Sequence, residues 1–278
     1  MCREHHMDAK AMVKEPWSTM CKQLRALMCL VFCCGLLAVH HPAHGTGDNA
    51  GFQSQARFSA YLDHVYSSCG LQDKLDKEVF DYAMIGYFNL KQQDSLKKPD
   101  ILSIVDYTQP STRKRFFVLD LSRQKLLFNS LVAHGKNTGD KYARAFSNRP
   151  ESKQSSLGFI VTGETYYGKH GLSLRLKGAE DDFNSNCLQR YIVVHGADYA
   201  SEDFIEQYGR LGRSWGCPAL PREVSRQVIQ KIQDGTCFFS FYRDEDYLQS
   251  SELLDRGCAL DAFSGAKPQG RTERRTGS

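Results

Sequence analysis

From residue 100 onward, apolar and polar positions alternate with a period of two, which predicts strands. Residues 101–107, 115–121 and 125–133 read as three strands, with turns at Pro110-Ser111-Thr112 and Ser122-Arg123-Gln124. Phe117, Leu119 and Leu121 then share one face of their strand. Further strands are expected over residues 157–166, 172–176 and 236–242. A short apolar run, Tyr191 to Val194, stops at His195-Gly196. Ahead of residue 100 the period is helical. Phe58, Tyr61, Leu62 and Val65 form one stripe that ends at Cys69-Gly70. Val79, Tyr82, Ala83, Gly86 and Tyr87 form a second stripe within residues 76–90. Its tyrosines read as packing against the sheet, with a sugar platform as the alternative. Residues 201–208 form a short helix capped by Ser201, with Glu202 and Asp203 in its first turn. Residues 222–233 form an amphipathic helix with Val224, Val228, Ile229 and Ile232 inward. The fold class is mainly β (α+β), with short helices and a helical segment in front.

Composition divides the chain into segments. Residues 1–45 read as a signal peptide or targeting segment. Lys22 and Arg25 precede an apolar run over residues 26–39, which is shorter than the ~20 residues of a membrane span. Ala43-His44-Gly45 offers small residues for cleavage after Gly45, and Met20 is an alternative start. An uncleaved anchor is the competing reading. Residues 46–98 are a linker (46–55, rich in Gly, Asn and Gln) followed by the helical segment. Residues 99–243 are the β-rich unit. Residues 244–278 are a tail, partly disordered, whose last part is poor in apolar residues. With 278 residues, 41% of them hydrophobic, the chain can build a sizeable core. A net charge of +4 without a basic, aromatic-interleaved stripe speaks against nucleic acid. Of ten cysteines, five lie in the first 34 residues. No Cys-x-x-Cys pair occurs among Cys69, Cys187, Cys217, Cys237 and Cys258, so neither a zinc cluster nor any other cofactor is expected. Apart from Cys217, these stand either as disulfides of an exported protein or as reduced core thiols.

Candidate chemistry gathers between Arg190 and Leu220. A strand delivers His195, and Gly212-Arg213-Ser214-Trp215-Gly216-Cys217-Pro218 sets one cysteine in a glycine-framed loop. Imidazole takes a thiol proton near neutral pH, and glycines let backbone N–H groups approach a substrate carbonyl. The histidine precedes the cysteine, the reverse of the papain order. His195, Ser214, Gly216 and Cys217 resemble the His…Ser/Thr-His-Gly-Cys motif of the YkuD-like L,D-transpeptidases, which act on bacterial murein. Trp215 replaces the motif's second histidine, 18 residues separate His195 from Ser214, and Ala219 stands where a polar residue is usual. These departures resemble a divergent branch, the murein L,D-transpeptidase catalytic domain. So do Asp120-Leu121, Val132-Ala133-His134-Gly135-Lys136-Asn137, Phe146-Ser147-Asn148, Ser155-Ser156-Leu157-Gly158-Phe159 and Tyr166-Tyr167-Gly168-Lys169-His170-Gly171. The likeness covers roughly residues 57–243.

That resemblance implies a YkuD-like β-sandwich and an exported enzyme of the periplasm or cell envelope. It makes Cys217 the nucleophile and His195 its base. The Gly196 carbonyl holds the ring, Gly216 and Cys217 N–H groups serve the oxyanion, and Ser214 orients the loop or the ring. A stem tetrapeptide of peptidoglycan would acylate Cys217 and release D-alanine, and an acceptor amine would resolve the thioester as a 3–3 cross-link. With water as acceptor, the same site is an L,D-carboxypeptidase. Trp215 and Arg213 are candidate substrate contacts, Trp215 either walling the acyl site or packing. His170 rivals His195 as base. His134 is either a site histidine or structural. Arg144 and Arg149 either meet a stem carboxylate or are solvated. Other readings are a sortase-like or caspase-like peptidase and a murein-binding protein with a dead site.

Overall fold

The computed structural model describes residues 46–265, with side chains from residue 51. The elements in chain order are α1 (Thr46–Ser68), α2 (Lys77–Gln92), β1 (Ile101–Asp106), β2 (Phe116–Asp120), β3 (Lys125–Ser130), β4 (Gly158–Gly168) and β5 (Gly171–Gly178). There follow β6 (Val193–Gly196), α3 (Glu202–Tyr208), β7 (Ala219–Leu220), α4 (Arg222–Ile232), β8 (Cys237–Phe241), α5 (Glu245–Ser250) and α6 (Arg256–Ser264). Residues 1–45, where the signal segment is expected, and 266–278 lie outside the described residues.

The eight strands form one mixed sheet in the order β3-β2-β1-β8-β4-β5-β6-β7. Only β1–β8 and β6–β7 run parallel. The sheet curls over on itself: the Ala133 N–H donates to the Ala219 carbonyl at 2.8 Å, so the segment after β3 meets β7. The inner face therefore packs residues from distant strands together. Val105, Phe116, Ile160, Leu174, Val194 and Phe238 share one cluster, closed by Val228, Ile229 and Ile232 of α4. The opposite face carries Leu102, Ile104, Phe117, Leu119, Phe159 and Phe239, covered by α1, α2 and the C-terminal helices. This is the mainly β, short-helix architecture that the alternating pattern predicts.

Helix α2 is capped by Asp76, whose carboxylate accepts from the Glu78 N–H at 2.8 Å. It crosses the sheet at Gly86, where a Cβ would lie 2.0 Å from Phe159 Cζ, so only glycine permits the approach. Its tyrosines pack, as the first of the two readings has it. Tyr87 is buried, and Tyr82 stacks on Phe241 with centroids 5.8 Å apart.

Two stretches depart from expectation. Residues 46–55 are the first turns of α1 and not a linker. Packing nucleates the helix at Phe58, Leu62 and Val65, and it extends outward because each further residue adds a hydrogen bond at low cost. Residues 245–264, expected within a partly disordered tail, form α5 and α6. Tyr247 and Ala259 are fully buried, and Phe263 lies 5.1 Å from the Phe58 ring. Asn89 of α2 donates to the carbonyls of Leu253 and Asp255, both at 2.9 Å, fastening the C-terminal helices. A few well-placed side chains suffice to fix these helices on the core. Cys69, Cys187 and Cys237 are buried reduced thiols divided between the two core faces. Among the described residues no helix is long and apolar enough to cross a membrane.

Candidate active site

Strand β6 ends in His195, fixed on one side by β5 (Ser173↔His195) and on the other by β7 (His195↔Ala219). Its ring Nδ1 lies 3.0 Å from the Gly196 carbonyl oxygen. A carbonyl only accepts, so Nδ1 carries the proton and Nε2 keeps a free lone pair. A Cβ at Gly196 would lie 2.5 Å from Ser225 Oγ, so α4 packs directly on this residue. Burial, and then the charges of Arg222 and Lys169 and the neighbouring His170, pull the His195 pKa down to about 4. The Gly196 carbonyl opposes this shift. The ring is neutral at physiological pH.

Cys217 is half-buried at the crest of its loop and opens on the same cleft as His195, a cavity of about 420 Å³. Its Sγ points at the Tyr191 carbonyl, 3.6 Å away. Burial raises the thiol pKa, while a backbone hydrogen bond from Val193 and the Arg190 and Lys169 charges work the other way.

The loop is held mainly by main-chain atoms. The Ser214 N–H donates to the His134 carbonyl at 2.9 Å, and the Lys136 N–H to the Ser214 carbonyl at 2.7 Å. Ser214 Oγ donates to the Cys217 carbonyl at 2.6 Å and accepts from the Gly216 N–H at 3.0 Å. Ser214 thus shapes the loop, which was one of its two expected roles. The Gly216 N–H is already engaged in this bond, which corrects its assignment as an oxyanion donor. What glycine supplies at 216 is conformation. Its φ is +123°, and a Cβ would lie 2.7 Å from the Gln154 carbonyl oxygen. Its own carbonyl accepts from Ser155 Oγ at 3.2 Å.

His170 sits in the β4–β5 turn and stacks on His195, with centroids 4.3 Å apart and planes 22° apart. Burial and the Lys169 and Arg222 charges lower its pKa. Arg213 lines the cleft while donating to the Gly139 carbonyl at 3.1 Å and pairing with Asp140 at 3.3 Å. Trp215 is 71% exposed on the cleft rim, so it does not pack. Lys153 and Lys169 hold their ammonium groups 5.0 and 5.9 Å from its ring centroid.

His134 is not among the residues that line the cleft, so of its two readings the site one is corrected and the structural one fits the geometry. It is 1% exposed, and its Nδ1 accepts from the buried Arg115 guanidinium at 2.7 Å. Burial, then the Arg115 charge, pushes its pKa down to about 3. Arg144 and Arg149 are exposed and lie outside the cleft, as solvated loop residues do. Ala219, the other motif departure, is fully buried in β7. Arg222 pairs with Asp198 through Nη2–Oδ2 at 3.0 Å and does not line the cleft.

Sequence reasoning passed over Arg190, Tyr191, Tyr199 and Lys169, which all line the cleft. Arg190 bonds Ser156 Oγ at 2.6 Å, Ser152 Oγ at 3.1 Å and the Ser147 and Gln154 carbonyls, tying the 147–156 loop under the site. The available signal was its place at the head of the apolar run leading to His195. Among the described residues no group of three or more His, Cys, Asp or Glu could hold a metal ion.

A strand-borne histidine held by its neighbour's carbonyl thus shares one cleft with a cysteine in a glycine loop. The family model for the L,D-transpeptidase catalytic domain (YkuD_2) matches residues 71–241, more than half of the chain. The chain belongs to that family. Among solved structures, an L,D-transpeptidase from Mycobacterium smegmatis is similar at 12% identity and a TM-score of 0.33, covering 51% of this chain and 59% of its own. One from Mycobacterium tuberculosis shows 15% identity and a TM-score of 0.31, covering 51% and 58%. The helical cell shape determining protein Pgp2 from Campylobacter jejuni shows 14% identity and a TM-score of 0.33, covering 62% of each chain. The chain thus spans about six tenths of the length of these solved chains. Comparison with curated proteins finds no match.

Proposed function

We propose that the chain is an exported L,D-transpeptidase that joins peptidoglycan stem peptides. One observation carries the reading: His195, its Nδ1 fixed on the Gly196 carbonyl, opens its cleft onto Cys217. Cys217 Sγ attacks the carbonyl carbon of the third residue of a stem tetrapeptide, and His195 Nε2 takes the thiol proton. The carbonyl oxygen gains the electron pair and is stabilised by the Cys217 N–H. The intermediate collapses to a thioester, and His195 returns the proton to the departing D-alanine nitrogen. A side-chain amine of a second stem then attacks the thioester. His195 accepts its proton, the new amide forms, and the thiol is restored. Residues 1–45 act as the export signal in this reading, which places the reaction in the cell envelope.

Family membership supports the class of chemistry. Arg222, the arginine that follows the cysteine strand, is paired with Asp198 outside the cleft, which speaks against a sortase-like peptidase. The burial of Ala219 makes that motif departure a packing feature, which weakens the dead-site reading. The test is to incubate the protein, beside Cys217→Ala, with disaccharide-tetrapeptide and to read products by mass spectrometry. D-Alanine release with dimer formation, absent in the variant, is the expected result. Release without dimers would replace transpeptidase with carboxypeptidase. No turnover by folded wild type would overturn the enzyme reading.

A further inference from the structure

We infer that this cleft selects its donor by a free carboxylate, read by Lys169 and Lys153 beside Trp215. The inference rests on the reading of the site as one that takes a peptide donor. Three cations, Lys169, Arg190 and Arg213, line the cleft, and no Asp or Glu does. The two arginines are engaged: Arg190 with four acceptors under the site, Arg213 with Gly139 and Asp140. The two lysines differ: Lys169 lines the cleft, and Lys153 stands outside it, over the rim indole of Trp215. Both are exposed, and among the described residues neither forms a salt bridge. Their ammonium groups lie 5.0 and 5.9 Å from the centroid of one exposed indole. Attraction to the ring draws each ammonium to the indole, and an anion arriving there can pair with either charge. A compact ammonium suits a carboxylate approaching from varied directions, unlike the forked guanidinium. A low-dielectric cleft lined by one sign of charge also concentrates anions.

The same lysine couples recognition to the base. Lys169 adjoins His170, which stacks on His195, and the Lys169 charge helps to hold His195 unprotonated. A carboxylate bound at Lys169 offsets that charge, so an anionic donor strengthens the base that it needs.

Two alkylating agents that differ only in charge test the cleft without any assumption about substrate. Iodoacetate and iodoacetamide each form an S–CH2 bond at Cys217 and expel iodide. Peptide mapping of the full chain gives the rate at Cys217 apart from the other cysteines. The ratio of iodoacetate to iodoacetamide rates should exceed that of free cysteine by about tenfold at low salt, the order of effect of one nearby charge in a partly wet cleft. It should fall toward the free-cysteine value near roughly 0.5 M salt, where screening shortens to a few ångströms. Lys169→Met and Lys153→Met should each lower the ratio about threefold. A wild-type ratio equal to that of free cysteine overturns the inference, and a raised ratio that neither variant lowers overturns the assignment to the lysines.

Two amidated donors then locate the carboxylate, one with the third-residue side chain amidated and one with the C-terminus amidated. One of them should lose about tenfold in kcat/KM, and Lys169→Met should level the difference. If both amidated donors match the free one, the inference fails while transpeptidation stands. If no donor turns over yet the iodoacetate bias is present, the transpeptidase reading fails and carboxylate recognition by the lysines stands.

Discussion

The resting dyad should be neutral, and this can be read directly from the reactivity of Cys217. Burial holds His195 near a pKa of about 4 and raises the Cys217 thiol above its ordinary value. At pH 7.5 a group with that pKa is protonated in only about one molecule in three thousand. Moving the proton from thiol to imidazole in the free protein then spans more than about four pKa units, or at least roughly 6 kcal/mol, taking an unperturbed thiol near 8.5 as the floor. A preformed thiolate–imidazolium pair is therefore essentially unpopulated, and the proton moves only as Cys217 attacks. The perturbation is pH, between 5.5 and 9.5, and the assay is the iodoacetamide rate at Cys217 by peptide mapping. The logarithm of the rate should climb with a slope of about one throughout the neutral range, because only the small thiolate fraction reacts. His195→Ala should change this profile little, since the histidine is not supplying thiolate at rest, while abolishing transpeptidation. A rate that is already on a plateau from pH 6 upward would refute the reasoning, because it would require a stable ion pair.

Three further outcomes follow from the geometry. Ser214→Ala strips a buried loop of two hydrogen bonds and leaves the Gly216 N–H and Cys217 carbonyl unpartnered, so urea titration should show about 2–4 kcal/mol lost. Turnover should fall about a hundredfold, as expected when a reacting atom shifts by about an ångström. Gly216→Ala forces a side chain into φ +123° with its Cβ 2.7 Å from the Gln154 carbonyl, and the expected result is a folded protein with slow Cys217 alkylation, read by circular dichroism and peptide mapping. Stability should also drop in acid. His134 and His195 have folded pKa values of about 3 and about 4, so between those values and ~6.5 the unfolded chain binds more protons. Stability is complete above pH ~6.5 and drains as pH falls, by about 3 kcal/mol for His134 alone at pH 4.5, and His134→Asn should flatten that slope in urea titrations.

What was legible in the sequence was whatever depends on local period and chain order. The alternation after residue 100 placed the strands, and the apolar run from Tyr191 set His195 at a strand end beside a carbonyl. What depends on the curled sheet was not legible. His134 looked like an open glycine-turn histidine because its partner, Arg115, is 19 positions away and looks like an edge charge at the start of a strand. In the fold both are buried, and the Arg115 guanidinium donates to the His134 Nδ1. Arg190 carried no role in the sequence, since nothing local shows that Ser147, Ser152, Gln154 and Ser156 converge beneath it. Lys153 and Trp215 are separated in sequence by β4, β5, β6 and α3 and meet only because the 153–155 loop packs on the cysteine loop. The helical character of residues 46–55 and of 245–264 was missed for a related reason. Composition reports average polarity, whereas α1 and α6 are fixed by a few contacts such as Phe58 on Phe263.

The way the cysteine loop is held explains how position 215 can change while position 195 cannot. The loop is fastened by the His134 and Ser214 carbonyls, the Ser214 hydroxyl, and Ser155 on the Gly216 carbonyl. None of these bonds involves the side chain at 215, which points outward and is 71% exposed. A histidine there can become a tryptophan without moving Cys217. His195, by contrast, is wedged between β5 and β7, and its ring geometry depends on the bond to its own neighbour's carbonyl. The histidine is thus built into the sheet, and the outer face of the cysteine loop is left for recognition. A substitution at 215 should alter which donors are used. Trp215→His should therefore keep the slope of Cys217 alkylation with pH while lowering the iodoacetate preference, because the indole that gathers Lys153 and Lys169 is gone. If the slope changes instead, residue 215 belongs to the proton-transfer machinery and the division between sheet and loop does not hold.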